Sequence, residues 1–490
     1  MFESSFPLAI KAILINILVP LIPGILFLWI FFGTKLKGIL LYILARAVGT
    51  GVVAFSLFNF QFIRFWIGMG EYFVIIGILL AIFIVLLYIK KLAVKEYLNT
   101  LKIHSKRSEI KESYTSINKI QKVFFRGWTI LGLGMILLSL IRTTNLPTYA
   151  DDSFFNWNGP TLNIYHDGGV KMFGDKTEIL GRGRLGYPIY IPIYKAVISD
   201  FMWWFNDIYI NLRQCLAFLA LLLFVVKITR DKTKDIFYTI LPVIGICWLP
   251  LVFFHAGEWY MELPSAVFSV LTIRAFYEFL EKKDYSYIAL GVLLWSILWQ
   301  IKNDGFVVYL PWILISFLII LLIRKNLSEF FTWFAKSIKN LWSSIFYVVW
   351  FLLPFLLIRM VNHIWLNPVA TNEWWVGISK VVHREIFSQF PPIFMQMDNY
   401  NVALILLFVL VMIYIKNIKH KSNNAMLLLS WWLIILIFVL AFLLTENYIF
   451  VMNQTTVNRV FTMCLLIPMS FIWIITYKNA QQEDWIILNK

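Results

Sequence analysis

The chain has 490 residues, of which 60% are hydrophobic and only 14% charged, with a mean hydropathy of +0.76. Soluble domains sit near about 45–50% apolar and about 25% charged, so these values exclude an ordinary soluble fold. The net charge of +16 does not point to nucleic acid, because Lys and Arg collect in short loops between apolar runs; the chain reads as an all-α polytopic membrane protein.

Apolar runs that reach or approach the roughly 20 residues needed to cross a bilayer predict spans near 7–32, 38–58, 68–89, 127–141, 208–226, 236–254, 263–280, 286–300, 306–323, 342–361, 401–415, 425–444 and 459–476. The N-terminus has no basic region and no cleavage site, so its first run reads as a retained span rather than a cleaved signal. Residues 90–126 hold ten Lys or Arg against three Glu, which marks that loop as cytoplasmic. Counted from it, the basic segments at 35–37, 227–234, 282–283, 324–339, 416–421 and 478–490 all fall on the same side. The predicted topology is therefore about thirteen spans, with the N-terminus outside and the C-terminus cytoplasmic, the expected setting being a bacterial cytoplasmic membrane.

Four regions follow: a three-span segment at 1–89, the basic loop at 90–126, a membrane module at 127–476 with large outer loops at 142–207 and 362–400, and a cytoplasmic tail at 477–490. The first outer loop is expected to carry short helices. The three cysteines, Cys215, Cys247 and Cys464, all lie in apolar runs, which argues against a disulfide framework or a thiolate metal site. No fixed-period repeat and no nucleotide-binding glycine motif is present.

The polar residues that topology does not account for gather in the outer segments. Asp151 and Asp152 sit in "TYADDSFFNWNGP", directly after the fourth span. One Asp can cap a helix starting near Ser153, but capping explains one acid better than two. "GRGRLGYPIYIPIYKA" offers Arg182 and Arg184 on a glycine-rich turn before Tyr187-Pro188; it suits an anionic ligand and equally an interfacial or re-entrant segment. "HAGEWYMELPS" carries Glu258 and Glu262, four residues apart and so on one helical face, where pairing with a neighbouring cation is the plain alternative. Lys302 and Asp304 interrupt an apolar tract in "WQIKNDGFVVYLP"; Asn303-Asp304-Gly305 makes an ordinary turn, yet an outer-face lysine opposes the topology signal and suits a phosphate. Arg459 enters the last span from outside, and His383 lies in the 362–400 loop within "VVHREIFSQFPP", where a single histidine is more often structural than catalytic.

Taken in order, these segments resemble the GT-C class of membrane glycosyltransferases, in the branch of protein O-mannosyltransferases, aminoarabinose transferases and bacterial cell-envelope sugar transferases. The resemblance covers roughly residues 127–476. Asp151-Asp152 with Trp157 is similar to the family's acidic motif of the first outer loop, Tyr187-Pro188 to its Tyr-Pro element, Glu262 to a later acidic position, Lys302-Asn303-Asp304-Gly305 to a Lys-Asn-Glu-Gly turn, and Arg459 to an Arg opening the last span. Asp stands for Glu at positions 152 and 304, which keeps charge and shortens reach by one methylene. The three spans before residue 90 are additional to the simplest family layout.

The resemblance implies a GT-C-like bundle whose donor is a sugar on a polyprenyl phosphate and whose acceptor is a hydroxyl of a glycan, lipid or protein on the extracytoplasmic face. Asp151 would be the general base, with Asp152 its helper. Lys302 and Arg459, with Arg182 or Arg184, would stabilise the leaving phosphate. Glu262, Glu258, Tyr187, Asp304 and His383 would position the acceptor or a cation; Asp152 and Glu262 are the candidate ligands if a divalent cation such as Mg or Mn takes part. No nucleotide cofactor and no nucleic-acid partner are implied. A polysaccharide polymerase or ligase using lipid-linked sugar is the enzyme alternative. A lipid-linked oligosaccharide flippase or transporter is the alternative of another class, although such proteins usually show internal repeats and midplane charges or broken helices.

Overall fold

The computed structural model describes residues 5–63, 66–103, 114, 119–145, 154–173, 187–247, 249–257, 260–302, 310–324, 331, 335, 342–362, 382–394, 424–444, 449–452, 458–460 and 464–471. All regular structure among them is helical. Seven helices are long and apolar enough to cross a membrane, or eight if one bent pair is a single span. In chain order the first elements are α1 (Ser5–Phe32), α2 (Gly38–Phe60), α3 (Met69–Lys90), α4 (Val94–Thr100) and α5 (Lys119–Asn145). The region 142–207, expected as an outer loop, carries short helices among its described residues: a π-helical turn at Phe154–Asn158, then α6 (Gly159–Asp167) and α7 (Tyr190–Met202). There follow α8 (Asp207–Thr233), α9 (Ile236–Cys247), α10 (Pro250–Gly257), α11 (Glu262–Lys282), α12 (Ser286–Trp299), α13 (Leu310–Arg324), α14 (Trp342–Phe351), α15 (Leu353–Val361), α16 (Ile386–Phe394), α17 (Asn424–Leu444) and α18 (Ile449–Met452). Residues 458–460 and 464–471 are helical as well.

Several predicted spans take a different form. The run at 236–254 is not one straight crossing: α9 and α10 meet at a 71° bend. Pro250 opens α10, and a proline without an N–H is accommodated at a helix start rather than inside one. The run at 286–300 is a helix of 14 residues, which reaches only about 21 Å at 1.5 Å per residue, short of a hydrocarbon core of about 30 Å; of the run at 306–323, residues 306–309 lie outside the described residues and the rest is helical within α13. The run at 401–415 lies outside the described residues.

Burial separates the spans that face lipid from those that fill the bundle. The spanning window of α11 is wholly buried, whereas those of α3 and α5 are 22% and 18% buried. On α3 the buried residues are Tyr72, Ile75, Leu79 and Phe83, one stripe at helical spacing, while Phe73, Val74, Ile78, Ile82 and Val85 are exposed. An apolar helix with one buried stripe and an apolar exposed remainder is dressed for lipid on the side that does not pack. α1 and α2 cross so closely that only small residues fit. A Cβ on Gly24 would stand 1.8 Å from the Ala45 carbonyl oxygen, and one on Gly49 would stand 1.7 Å from that of Pro20. Ala45 and Gly49 are four apart, the small-xxx-small spacing that lets helix backbones meet where no hydrophobic effect drives them together.

Tertiary contacts sort the loops to two ends of the bundle. At one end Lys35 Nζ lies 2.8 Å from Asp284 Oδ2 and 3.1 Å from Ser286 Oγ, and Lys232 pairs with Glu281 at 3.1 Å. α4 joins them there: the Trp29 indole N–H donates to Thr100 Oγ1 at 3.1 Å, and the Tyr42 hydroxyl donates to the Leu101 carbonyl at 2.9 Å. The other end gathers residues 61–69, 168–172, 200 and 362: Ile67 N–H donates to the Gly168 carbonyl at 2.8 Å, Met69 N–H to Asp200 Oδ2 at 2.6 Å, Val170 N–H to Gln61 Oε1 at 2.9 Å, and the Asn362 amide to the Met172 carbonyl at 2.9 Å. Of the segments grouped by their charge in the sequence, those at 35–37, 90–126, 227–234 and 282–283 are thus also brought to one end in their described residues. α11 ends at Lys282 beside the basic loops, so its first residue, Glu262, stands toward the opposite end.

Candidate functional site

α10 and α11 are joined by a short connection through Tyr260 and Met261, and this corner concentrates polar side chains. Glu262 opens α11 with its side chain 5% exposed, and its Oε1 accepts a hydrogen bond from Lys302 Nζ at 3.0 Å; Lys302 is 15% exposed. Lys302 reaches it from just beyond the end of α12, 40 residues later in the chain. Glu262 also interacts electrostatically with Arg459 and His255. His255, in the last turns of α10, is completely buried and makes ring contact with Tyr260 at 4.9 Å between centroids. Neither ring nitrogen of His255 has a hydrogen-bond partner among the described residues. The Arg459 guanidinium lies 4.5 Å from the Tyr260 ring centroid, a cation–π placement that fixes the planar group over the corner.

A further cation borders this group. The Arg142 guanidinium, near the C-terminal end of α5, lies 4.5 Å from the Phe254 ring centroid, and the Phe254 and Tyr260 rings stack at 6.3 Å. A Cβ on Gly257 would come within 3.0 Å of Arg142 Cδ, so a glycine there admits the arginine stem. The corner therefore brings one carboxylate together with the cations Lys302 and Arg459 and a buried imidazole, with Arg142 at its rim. Buried charges are costly unless matched. Among the described residues the positive charge here exceeds the negative, and the arrangement is suited to an anion.

Of the residues singled out in the sequence, Glu262, Lys302 and Arg459 converge at this corner. Tyr187 lies elsewhere in the contact network: its ring meets Trp157 at 5.5 Å, edge to face, which joins the Tyr-Pro segment to the segment following the acid pair. His383 pairs through Nδ1 with Glu385 Oε1 at 3.0 Å, and its N–H donates to the Leu443 carbonyl at 3.0 Å, a mooring of α16 to α17. Asp151, Asp152, Arg182, Arg184, Glu258 and Asp304 lie outside the described residues. Among the described residues no group of three His, Cys, Asp or Glu side chains with metal-binding proximity occurs, and Asp152, the other candidate ligand beside Glu262, lies outside them.

A second polar cluster lies behind the first. Lys195, fully buried on α7, donates to Asn158 Oδ1. Burial is the largest influence on its ammonium and pushes it well below the ordinary lysine range; the nearby Arg213 adds to that and Asp207 opposes it. Arg213 on α8 stacks against Tyr190 and Tyr194 at 5.6 and 5.1 Å. The Arg46 guanidinium of α2 donates from Nη2 to the Arg213 carbonyl at 3.2 Å. The next residue, Gln214, donates from Nε2 to the Tyr260 carbonyl at 2.7 Å, so adjacent positions on α8 touch the two clusters. His255, Arg142, Arg46, Arg213 and Lys195 were not singled out in the sequence. The available signal was the cost of Arg46 and Arg213 inside apolar runs, about 2.5–3.5 kcal/mol for a charged residue at a span centre.

Helix number, burial and the absence of strands among the described residues define an α-helical integral membrane protein carrying a buried, cation-rich corner at one end. Comparisons with protein-family models, with curated proteins and with solved structures give no match.

Proposed function

We propose that the protein is a GT-C-type glycosyltransferase that moves a sugar from a polyprenyl-phosphate donor to an acceptor hydroxyl on the extracytoplasmic face of the membrane. The observation that carries this reading is the meeting of Glu262, Lys302, Arg459 and His255 at the end of the bundle away from the basic loops. On the positive-inside rule that end is the outer one, which sets the N-terminus outside and the C-terminus in the cytoplasm. About thirteen spans in all complete this topology.

In this reading the acceptor oxygen attacks the anomeric carbon from the side opposite the phosphate. The new carbon–oxygen bond forms as the bond to the phosphate oxygen breaks, and the configuration inverts. Asp151 takes the acceptor proton, a step worth about 10²–10⁴ in rate. The bonding electrons leave with the phosphate, and Lys302 and Arg459 neutralise the charge that develops there. Arg142 stands nine residues before Asp151 in the sequence and borders the same corner, which supports a chain path from the cluster to the base. Glu262 holds Lys302 in place and limits the net positive charge of the corner. Asp152, Arg182, Arg184, Glu258 and Asp304 are assigned to the acceptor and phosphate sides by resemblance alone. No step is routed through a metal ion.

The test is transfer from synthetic polyprenyl-phosphate hexoses and pentoses by the purified full chain in liposomes, with release of polyprenyl phosphate as the readout. Wild type should turn over at least one donor, and Asp151→Asn should lose about 100-fold or more. Full activity in Asp151→Asn would remove the assigned base and with it this mechanism.

A further inference from the structure

Arg46 and Arg213 are an anomaly of their own. Both lie within candidate spans, Arg46 in α2 and Arg213 roughly two turns into α8. Neither has a carboxylate partner among the described residues, and the groups that act electrostatically on Arg46 are Tyr194, Arg213, Cys215 and Tyr190. The two guanidinium groups therefore repel each other across a low-dielectric interior. Nε of Arg46, Nη1 of Arg213 and the Tyr194 hydroxyl are buried with no hydrogen-bond partner among the described residues. Native proteins leave few such groups, and three around one pair of cations ask for a ligand that accepts hydrogen bonds and carries negative charge.

A cavity lies at this place. It has a volume of about 30 Å³ and runs between α2, α8 and α11, lined by Arg46 and Thr50, Arg213, and Val267, Phe268 and Leu271. That is room for roughly two waters, the scale of one small oxyanion. Beyond the two arginines and Thr50 the lining is apolar. Cations at one point and hydrocarbon around the rest match the phosphate end of an amphiphile.

We propose that Arg46 and Arg213 form a binding site for a single phosphate group, carried on a lipid or free as inorganic phosphate, distinct from the Glu262–Lys302–Arg459 corner. The guanidinium pair receives the phosphate oxygens, and the apolar walls of α8 and α11 accept the first carbons of a chain where one is attached. The site is independent of the sugar-transfer reading, since none of its residues has a role in that reaction.

The experiment is equilibrium binding to the delipidated full-length protein in a neutral detergent, read by the rise in Tm and by direct titration. The probes are dodecyl phosphate, inorganic phosphate and dodecanol. Wild type should bind dodecyl phosphate and ignore dodecanol. Comparable binding of inorganic phosphate identifies a free-anion site; its failure identifies a lipid phosphate. Arg46→Gln, at the less buried member of the pair, should weaken binding about tenfold or more, the loss expected for a charge-assisted hydrogen bond. Arg213→Lys preserves charge but not the planar fork, and should weaken it as well. Lys302→Gln removes a cation of the separate Glu262–Lys302–Arg459 corner, which receives a phosphate in the sugar-transfer reading, and should leave in place the component of binding that Arg46→Gln removes. The proposal is overturned if wild type binds neither phosphate above the dodecanol control, if both arginine variants keep wild-type affinity, or if Lys302→Gln abolishes binding.

Discussion

Lys302 Nζ lies 3.0 Å from Glu262 Oε1, and both side chains are largely buried. The pair closes a loop of 40 residues and joins the end of α12 to the start of α11. Its partners are not equivalent. Without Lys302, Glu262 still faces Arg459, whereas loss of the Glu262 carboxylate takes its charge away from Lys302 and Arg459 together. Glu262→Gln is therefore expected to be the more damaging change, on the order of 3–5 kcal/mol, the scale of breaking a buried pair, with Lys302→Gln below it. The double variant should cost less than the sum of the two. Thermal unfolding of the three variants in one detergent checks this, and strict additivity would mean that the contact carries no coupling energy.

The α1–α2 crossing makes a prediction about packing alone. Gly49→Ala places a methyl 1.7 Å from the Pro20 carbonyl oxygen, where backbone and not a movable side chain must give way. The expected loss is at the upper end of the about 1–3 kcal/mol typical of overpacking, or beyond it. Gly77→Ala is the control: a Cβ there meets nothing within 4 Å. It should be neutral or slightly stabilising, because alanine is the better helix former. Tm values for the two variants decide it, and equal losses would contradict the crossing.

Asp284 supplies a pH dependence at the basic end. Partial burial pushes its carboxyl up, but hydrogen bonds from Lys35 and from the Ser286 backbone and hydroxyl outweigh burial and hold it below the ordinary 3.8. A carboxylate depressed in the folded state stabilises above its unfolded pKa, and that contribution is lost as pH falls through the folded value. Asp284→Asn should therefore lower Tm at pH 7 and have a vanishing effect as pH falls below about 3.8. The pair is well exposed to solvent, so screening keeps the effect at about 0.5 kcal/mol or less, and added salt should shrink it further. Tm measured from pH 7 to pH 3 in both proteins tests the sign.

Asn206 caps α8, its side-chain oxygen accepting from Ile208 N–H at 3.0 Å and Tyr209 N–H at 3.2 Å. Asn206→Ala should cost about 1 kcal/mol, and Asn206→Ser should recover most of it. Chemical denaturation of the pair in mixed micelles measures both; an alanine variant as stable as wild type would show that water replaces the cap.

The sequence revealed the apolar character of the spans and the charges that break them. Glu262, Lys302 and Arg459 stood out because each interrupts or borders an apolar run, and the fold brings these three together. His255 did not stand out, because one histidine at the end of an apolar run is indistinguishable by pattern from a packed core residue. Arg142 was read as the first residue of the outer loop 142–207, directly after a span, where a basic residue is unremarkable. The bend between α9 and α10 was signalled by Pro250, yet hydropathy averages across it. α7 was read as part of an outer loop or as a re-entrant segment; it is packed into the interior from Tyr190 to Ser199, and only tertiary contact decides that.

The measurement that tests the central claim most directly is release of polyprenyl phosphate from a polyprenyl-phosphate sugar by wild type, Lys302→Gln and Arg459→Gln in sealed liposomes of defined orientation. The account predicts turnover by wild type with donor presented on the side opposite the basic loops, and a loss of about 10²-fold or more in each variant, the scale of removing one group that stabilises developing charge. Wild-type turnover that both variants match would contradict it.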